Sequence, residues 1–472
     1  MSRFLYLFKP LSGLLPQVKK PERKLTFKER MLRTFVFFVI YFVMSNIPLY
    51  GIQSSQGFDP FYAVRILLAS NRGTLTELGI GPIVTAGLVM QILVGAKILQ
   101  IDVGDPEERA LYTIAQKALA IFFTLFEAIM YIAMGAYGSL TLGQEMLVVT
   151  QLTLAGFIII LMDEAVQRGR GIGSGLSLFI LGGVAGRIVR ASFSPIKEAD
   201  GMYQGAVLAL LQAAFGKPTV SDAMLRPGYP DGIGLLSTFF IIALVLYANL
   251  IKVEIPVRHQ RYKIPAKYPI KLMYTENIPV ILIGAFVAQG VFILSRIRRR
   301  RNPDNSNPVL NLLGVFTYDS HGNLVPKGGL AYYITPPRGV SAVMDDPFRA
   351  IIYFIFLSIL GALFSVTRVE LGGMSPRAVA EQLLKAELII PGIRADPKQM
   401  ERYLKRYIPQ AALIGGVLIG ALSAIADFLG AFSTGSGLLL ATSITIQMLD
   451  LMVRERVTDL HPRFARILGL TS

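Results

Sequence analysis

Apolar runs of roughly 17–25 residues recur along this 472-residue chain, and no other feature limits its fold as strongly. They lie near Met31–Leu49, Ile80–Leu99, Leu111–Gly135, Met146–Met162 and Gly175–Phe193. Five more follow near Ile233–Ile251, Ile278–Ser295, Pro347–Val366, Ile408–Phe432 and Gly437–Val453. As a helix, each is long enough to cross a hydrocarbon core about 30 Å thick. Lipid offers no partners to backbone amides and carbonyls, so a spanning run satisfies them internally as a helix. Composition agrees, with 53% hydrophobic residues and only 17% charged ones, too few to coat a soluble chain of this length. The fold class predicted is an all-α polytopic membrane protein with ten transmembrane helices.

An even number of spans puts both termini on one side. Of the 47 Lys and Arg, 29 lie in segments 1–30, 100–110, 163–174, 252–271, 367–407 and 454–472, against 12 in the opposite loops. The positive-inside bias then places the termini in the cytosol. Arg296 and Arg298–Arg301 run against it, at the head of a loop of about fifty residues, where the rule weighs charge less.

The organisation read along the chain begins with a cytosolic amphipathic N-terminus (1–30), in which Phe4, Leu5, Leu7, Phe8 and Leu11 sit among Arg3 and Lys9. A first half (31–193), an outer loop (194–232) and a second half (233–456) follow, with cytosolic loops at 252–271 and 367–407 and a cytosolic tail at 457–472. In the outer loops, Met202–Phe215 is apolar but too short to span, and 315–335 reads as a hairpin around a glycine turn. Gly173-Ser-Gly-Leu-Ser-Leu178 opens the fifth span and Gly435-Ser-Gly-Leu-Leu-Leu440 the tenth, equivalent places in two five-span halves.

Catalytic signatures are missing. The chain has no cysteine, which removes disulfides, thiolate catalysis and Cys-based metal sites. His259, His321 and His461 are too scattered for a histidine metal site. Phe215-Gly-Lys-Pro lacks the Ser/Thr and preceding loop of a phosphate-binding motif, and neither Gly-x-Ser-x-Gly nor His-Glu-x-x-His occurs. No catalytic, cofactor-binding or metal-binding residue is therefore predicted, and no enzyme activity. Within the spans Glu127 and Asp427 stand out, as members of an ion path or as structural partners of polar neighbours.

Two kinds of segment remain. Asp59 can cap a helix that Pro60 opens, and Phe61, Val64, Leu67, Leu68 and Ser70 belong to about three half-apolar turns, some 15 Å long. Both an interfacial helix and a re-entrant plug entering from outside fit that pattern. The second kind is basic. Segment 252–271 holds six Lys/Arg against one acid, and 368–407 holds eight against five. Two readings fit this excess: the topological bias alone, or docking on something anionic, whether lipid headgroups or RNA phosphate.

Several motifs resemble the SecY/Sec translocon alpha-subunit family, in its archaeal and eukaryotic branch. They are Met44-Ser-Asn-Ile-Pro-Leu-Tyr-Gly51, Ser70-Asn-Arg-Gly-Thr-Leu75, Leu78-Gly-Ile-Gly-Pro-Ile83, Tyr268-Pro-Ile-Lys-Leu272, Thr275-Glu-Asn-Ile-Pro-Val280 and Leu404-Lys-Arg-Tyr-Ile-Pro409. The resemblance implies two pseudo-symmetric halves around an hourglass pore in a protein-conducting channel. It implies an apolar pore ring of Ile80, Val84, Leu176, Ile180, Ile281 and Leu440, and a plug at Asp59–Ser70. A lateral gate would lie between the second and seventh spans, where Thr85, Gln91 and Asn277 match the family's polar gate residues. Arg258, Arg261 and Arg394 would dock the ribosome. Implied partners are a SecE/gamma-type subunit, a beta-type subunit, the ribosome, the nascent polypeptide with its signal sequence, and membrane lipid. The absence of Cys and Trp tilts the host membrane toward an archaeal plasma membrane over an endoplasmic reticulum. The competing class is a secondary transporter with inverted repeats, which would need polar groups converging near the midplane.

Overall fold

A computed structural model describes residues 10, 13, 15–23, 25–52, 70–95, 98–99, 106–133, 136–138, 140–197, 201–216, 219–226, 229–260, 265–273, 278–301, 305–318, 324–371 and 374–460. Every expected span falls on a helix. The first five are Phe27–Met44, Gly81–Gly95, Pro106–Ala133, Leu142–Ala165 and Gly175–Phe193. The second five are Gly232–Leu250, Ile278–Arg301, Pro347–Leu371, Ile408–Phe428 and Gly435–Leu460. Among the described residues, seven helices are long and apolar enough on their own to cross a membrane.

The ends of the spans have local causes. Thr26 and Glu29 form a reciprocal cap that starts the first span, and the Asp231 carboxylate accepts from the Gly234 amide at 2.7 Å to start the sixth. The first span stops at Met44, short of the expected Leu49, because Pro48 cannot continue a helix. Residues 46–49 turn instead to meet 73–75, with the Leu49 amide donating to the Gly73 carbonyl at 2.8 Å. The ninth span ends at Phe428 rather than Phe432, two residues before Gly430 at φ +69°. The seventh continues to Arg301, so the outer arginine cluster ends a helix instead of opening a loop. Cations suit that end of the helix dipole.

One buried apolar cluster draws side chains from every span except the third. The eighth and ninth spans approach most closely. A Cβ at Gly416 would run into the Gly361 carbonyl oxygen, and one at Gly420 into the Leu357 carbonyl oxygen. Small residues four apart allow this backbone contact in lipid. Gly416→Val is expected to cost at least roughly 1–3 kcal/mol through overpacking, measured as a lower thermal midpoint in detergent.

The loops at 252–271 and 367–407 have structure that the sequence did not reveal. Strands β1 (Lys252–His259) and β2 (Pro265–Lys271) pair antiparallel as a hairpin. The second half's other loop, 367–407, folds back onto it. In another loop, β3 (Val315–Tyr318) and β4 (Leu324–Gly328) form the expected hairpin, and Gly329–Ile334 follows as a helical turn. A two-residue strand, β5 (Leu388–Ile389), adds to β1 beside Arg258 and His259, giving the order β2-β1-β5. Ile255, Val257 and Ile270 then bury against Val379, Leu383, Met400 and Leu404 as a separate core. The apolar outer segment 202–215 becomes a helix, Ala206–Phe215, packed on the fifth and sixth spans.

Candidate pore, gate and docking surfaces

The six aliphatics expected at the pore belong to, or pack against, one apolar cluster. Ile80, Val84, Ile180 and Leu440 are buried members of the main cluster, and the half-buried Leu176 and Ile281 pack against it. They come from four spans, two in each half. Each also sits within two turns of the start of its helix: Ile80 and Val84 at Gly81, Leu176 and Ile180 at Gly175, Ile281 at Ile278, and Leu440 at Gly435. A constriction of branched side chains with no polar atom gives water and ions nothing to bind.

On one side of this cluster lies a cavity of about 490 Å³, bordered by Arg187, Arg226, Arg338, Asp231 and Asp427. Arg187 is seven residues beyond Ile180, or roughly 10 Å along the fifth span. Arg187 and Ile180 are thus about two turns apart on one helix.

The start of the second span is held by its own preceding segment. Ser70 donates its hydroxyl to the Glu77 carbonyl, the Gly73 amide donates to the Glu77 carboxylate, and Asn71 reaches the Ser45 carbonyl at 3.1 Å. Gly73 adopts φ +70°, a conformation glycine permits cheaply. Of the plug residues, Ser70 is buried in this turn. Asp59, Pro60, Phe61, Val64, Leu67 and Leu68 lie outside the described residues.

Across the two halves, the second span touches the seventh and eighth, while the fifth touches the tenth. The Thr85 hydroxyl donates to the Glu127 carboxyl of the third span at 3.2 Å. Gln91 is half-buried on the second span. Asn277 lies outside the described residues. On the opposing side, the Phe286 ring meets that of Phe364 edge-on, 6.2 Å between centroids.

The intramembrane acids have polar neighbours, as one of the two expectations for them held. Glu127 takes the Thr85 hydroxyl. Asp427 accepts from the Tyr353 hydroxyl at 3.0 Å and from the Gly435 amide at 2.8 Å. A third acid that sequence reading passed over, Asp163, accepts from the Leu176 amide at 2.8 Å and from Gln167 at 2.8 Å. Among the described residues no three His, Cys, Asp or Glu side chains gather as a metal site would require.

The sheet joins the two basic loops into one surface. Strand alternation turns Ile255 and Val257 inward and Glu254, Pro256 and Arg258 outward. Glu254 sits between Lys267 at 2.6 Å and Lys252 at 3.0 Å, and these hydrogen bonds hold its carboxyl below the usual range. Arg394 is exposed five residues after β5. Arg261 lies outside the described residues, as do the apolar N-terminal residues Phe4, Leu5, Leu7, Phe8 and Leu11. Further on, the carbonyls of Pro16 and Lys19 accept from Lys117 and Arg170, fixing that segment beside the third and fourth spans.

Comparisons with known proteins fit this architecture. A family model described as SecY matches residues 74–449, and one described as the plug domain of Sec61p matches residues 39–73. The solved structure of a protein-conducting channel is 34% identical, with a TM-score of 0.80 over 97% of this chain and 99% of that one. Sec61 from a canine ribosome–channel complex of the endoplasmic reticulum is also 34% identical, with a TM-score of 0.77 over the same shares. The yeast Ssh1 complex bound to the 80S ribosome, 24% identical over 95% of this chain and 94% of that one with a TM-score of 0.76, shares the fold.

Proposed function

This chain belongs to the SecY family of protein-conducting channels, and we propose that Ile80, Val84, Leu176, Ile180, Ile281 and Leu440 form the waist through which it passes secretory polypeptides. The observation that carries the reading is the meeting of these six side chains, from four spans and both halves, in one buried cluster. An apolar waist excludes hydrated ions when shut, yet yields around an extended chain because nothing in it is bonded to anything else. A carrier of small solutes would instead gather polar groups at that depth. The acids near it are occupied by amides and hydroxyls of their own scaffold.

The plug of this channel is 59–70, closing the waist from outside, with the turn held by Glu77 as its tether. Membrane segments leave sideways between the second and seventh spans, where Gln91 and Asn277 line the seam, and the third and eighth spans flank it. Thr85 acts there indirectly, by tying the second span to the third. A SecE/gamma-type subunit and a beta-type subunit complete the complex, with both termini in the cytosol. The host is an archaeal plasma membrane, on the strength of the Cys- and Trp-free composition.

The sheet-linked basic surface docks the ribosome through Arg258, Arg261 and Arg394. Changing all three to glutamate is expected to weaken ribosome binding while the membrane domain stays folded. Phosphate contacts release counterions, so the slope of log K against log salt should become shallower by about 2 in the variant. Binding measured across a salt series tests this; wild-type affinity and slope in the triple variant would remove the docking role.

A further inference from the structure

Building a waist from helix starts creates a problem that the chain must solve. The first amides of a helix have no partner within it, and an apolar surrounding provides none. At the two spans whose starts repeat the Gly-Ser-Gly-Leu pattern, a buried aspartate supplies the acceptor. Asp163 of the fourth span is 7% exposed and takes the Leu176 amide, the second residue of the fifth span. Its Oδ1 also faces the Ser174 hydroxyl at 3.4 Å, while Oδ2 takes Gln167. Asp427 of the ninth span is 3% exposed and takes the Gly435 amide, the first residue of the tenth span. Its Oδ2 takes Tyr353 of the eighth. In each half the fourth span thus caps the fifth, and the helix dipole favours an acid at that end.

Close packing reinforces the arrangement. A Cβ at Gly175 would meet the Asp163 Cα at 2.7 Å, and one at Gly435 would overlap the Ser423 carbonyl oxygen. The start of each span is therefore pressed against the preceding span at the point where the carboxylate binds it. Leu176 carries a capped amide itself, Ile180 stands one turn further on, and Leu440 lies five residues beyond Gly435.

We propose that Asp163 and Asp427 are positioning residues of the seal: as hydrogen-bond acceptors, one in each half, they fix the starts of the fifth and tenth spans so that Leu176, Ile180 and Leu440 close the waist. This rests on the pore-ring reading above. Acceptor geometry rather than charge is the operative property. Asparagine keeps an Oδ1 acceptor, and its amide nitrogen can donate to the Gln167 oxygen or to the Tyr353 hydroxyl. Alanine keeps neither.

The test compares D163A, D427A, D163N and D427N in the full complex reconstituted in vesicles, without ribosomes or nascent chains. A reference variant carries serine at Ile80, Val84, Ile180 and Ile281. The alanine variants should raise closed-state ion leak by about tenfold, the order expected when a buried backbone amide is left without its acceptor. The asparagine variants should stay within about twofold of wild type, and all four should bind ribosomes normally. Tight alanine variants beside a leaking reference would overturn the positioning role, as would asparagine variants that leak like alanine. A reference variant that stays tight would instead strike the ring reading itself. Hydrogen exchange in the unmodified complex serves if an alanine variant cannot be purified. The Leu176 and Gly435 amides should be protected well beyond ordinary first-turn amides, and exchange as fast as an exposed loop would refute the proposal.

Discussion

Serine at Ile80, Val84, Ile180 and Ile281 together is expected to turn the closed channel into a leak. Three of the four are buried and the fourth, Ile281, packs against the same cluster, so a waist lined by them would be dry because its lining is aliphatic. Exchanging one buried branched side chain for a hydroxyl-bearing one gives up roughly 1.5–3 kcal/mol of preference for exclusion from water. Four such changes far exceed the ~1.4 kcal/mol that corresponds to a factor of ten. Closed-state conductance in reconstituted vesicles should therefore rise more than about tenfold, while the Glu254–Lys267 hairpin, which belongs to a separate core, stays folded. Unchanged conductance with a normally folded variant would show that these residues pack without sealing. Single substitutions should leak far less, because three remaining aliphatics can close on the gap.

The spans were legible because membrane insertion reduces the problem to length and apolarity. The fifth span, Gly175–Phe193, begins and ends where the sequence places it. Where the boundaries moved, a single residue explains the shift, as Pro48 does for the first span and Gly430 for the ninth. The outer hairpin at 315–328 was readable because two short apolar strings flank Asp-Ser-His-Gly-Asn. The three-stranded sheet was not. Pro256, Pro265 and Pro269 argue against strands, and the alternation in Val253, Ile255 and Val257 is the signal they obscured. Pro265 and Pro269 are tolerated because β2 is an edge strand, and Pro256 because β5 reaches only Arg258 and His259.

Side-chain pairing between spans was the least legible. Thr85 and Glu127 are 42 residues apart, and nothing in either local sequence points to the other. Asp163 was missed because it sits at the polar end of its span, where an acid looks like an ordinary boundary residue. The six-residue echo between the starts of the fifth and tenth spans was the one available hint. Its physical content, a helix start that needs an acceptor from the preceding span, emerges only when the spans are packed.

A disulfide across the second and seventh spans should stop translocation reversibly, and the absence of native cysteine makes the experiment clean. The two spans touch, as do the second and the eighth. Cysteines scanned over positions 85–91 against 278–286 should include pairs with Cα atoms within about 7 Å, close enough to oxidise. Position 85 is expected to be the poorest partner, because its side chain turns to Glu127 on the third span. Control cysteines at Leu236 or Phe240, exposed on the sixth span, should not cross-link to the second. Locking the seam should bring insertion of apolar segments into lipid down to background, since that route requires the helices to part. Secretory chains that open the channel by placing a signal sequence in the seam should stop as well, and a reductant should restore both. If locked protein still inserts membrane segments at full rate, the exit lies elsewhere and the second–seventh contact is only packing. If no scanned pair oxidises, the seam is not closed in the resting channel. Either result would revive the carrier reading, because a carrier needs no opening in its wall wide enough for a helix.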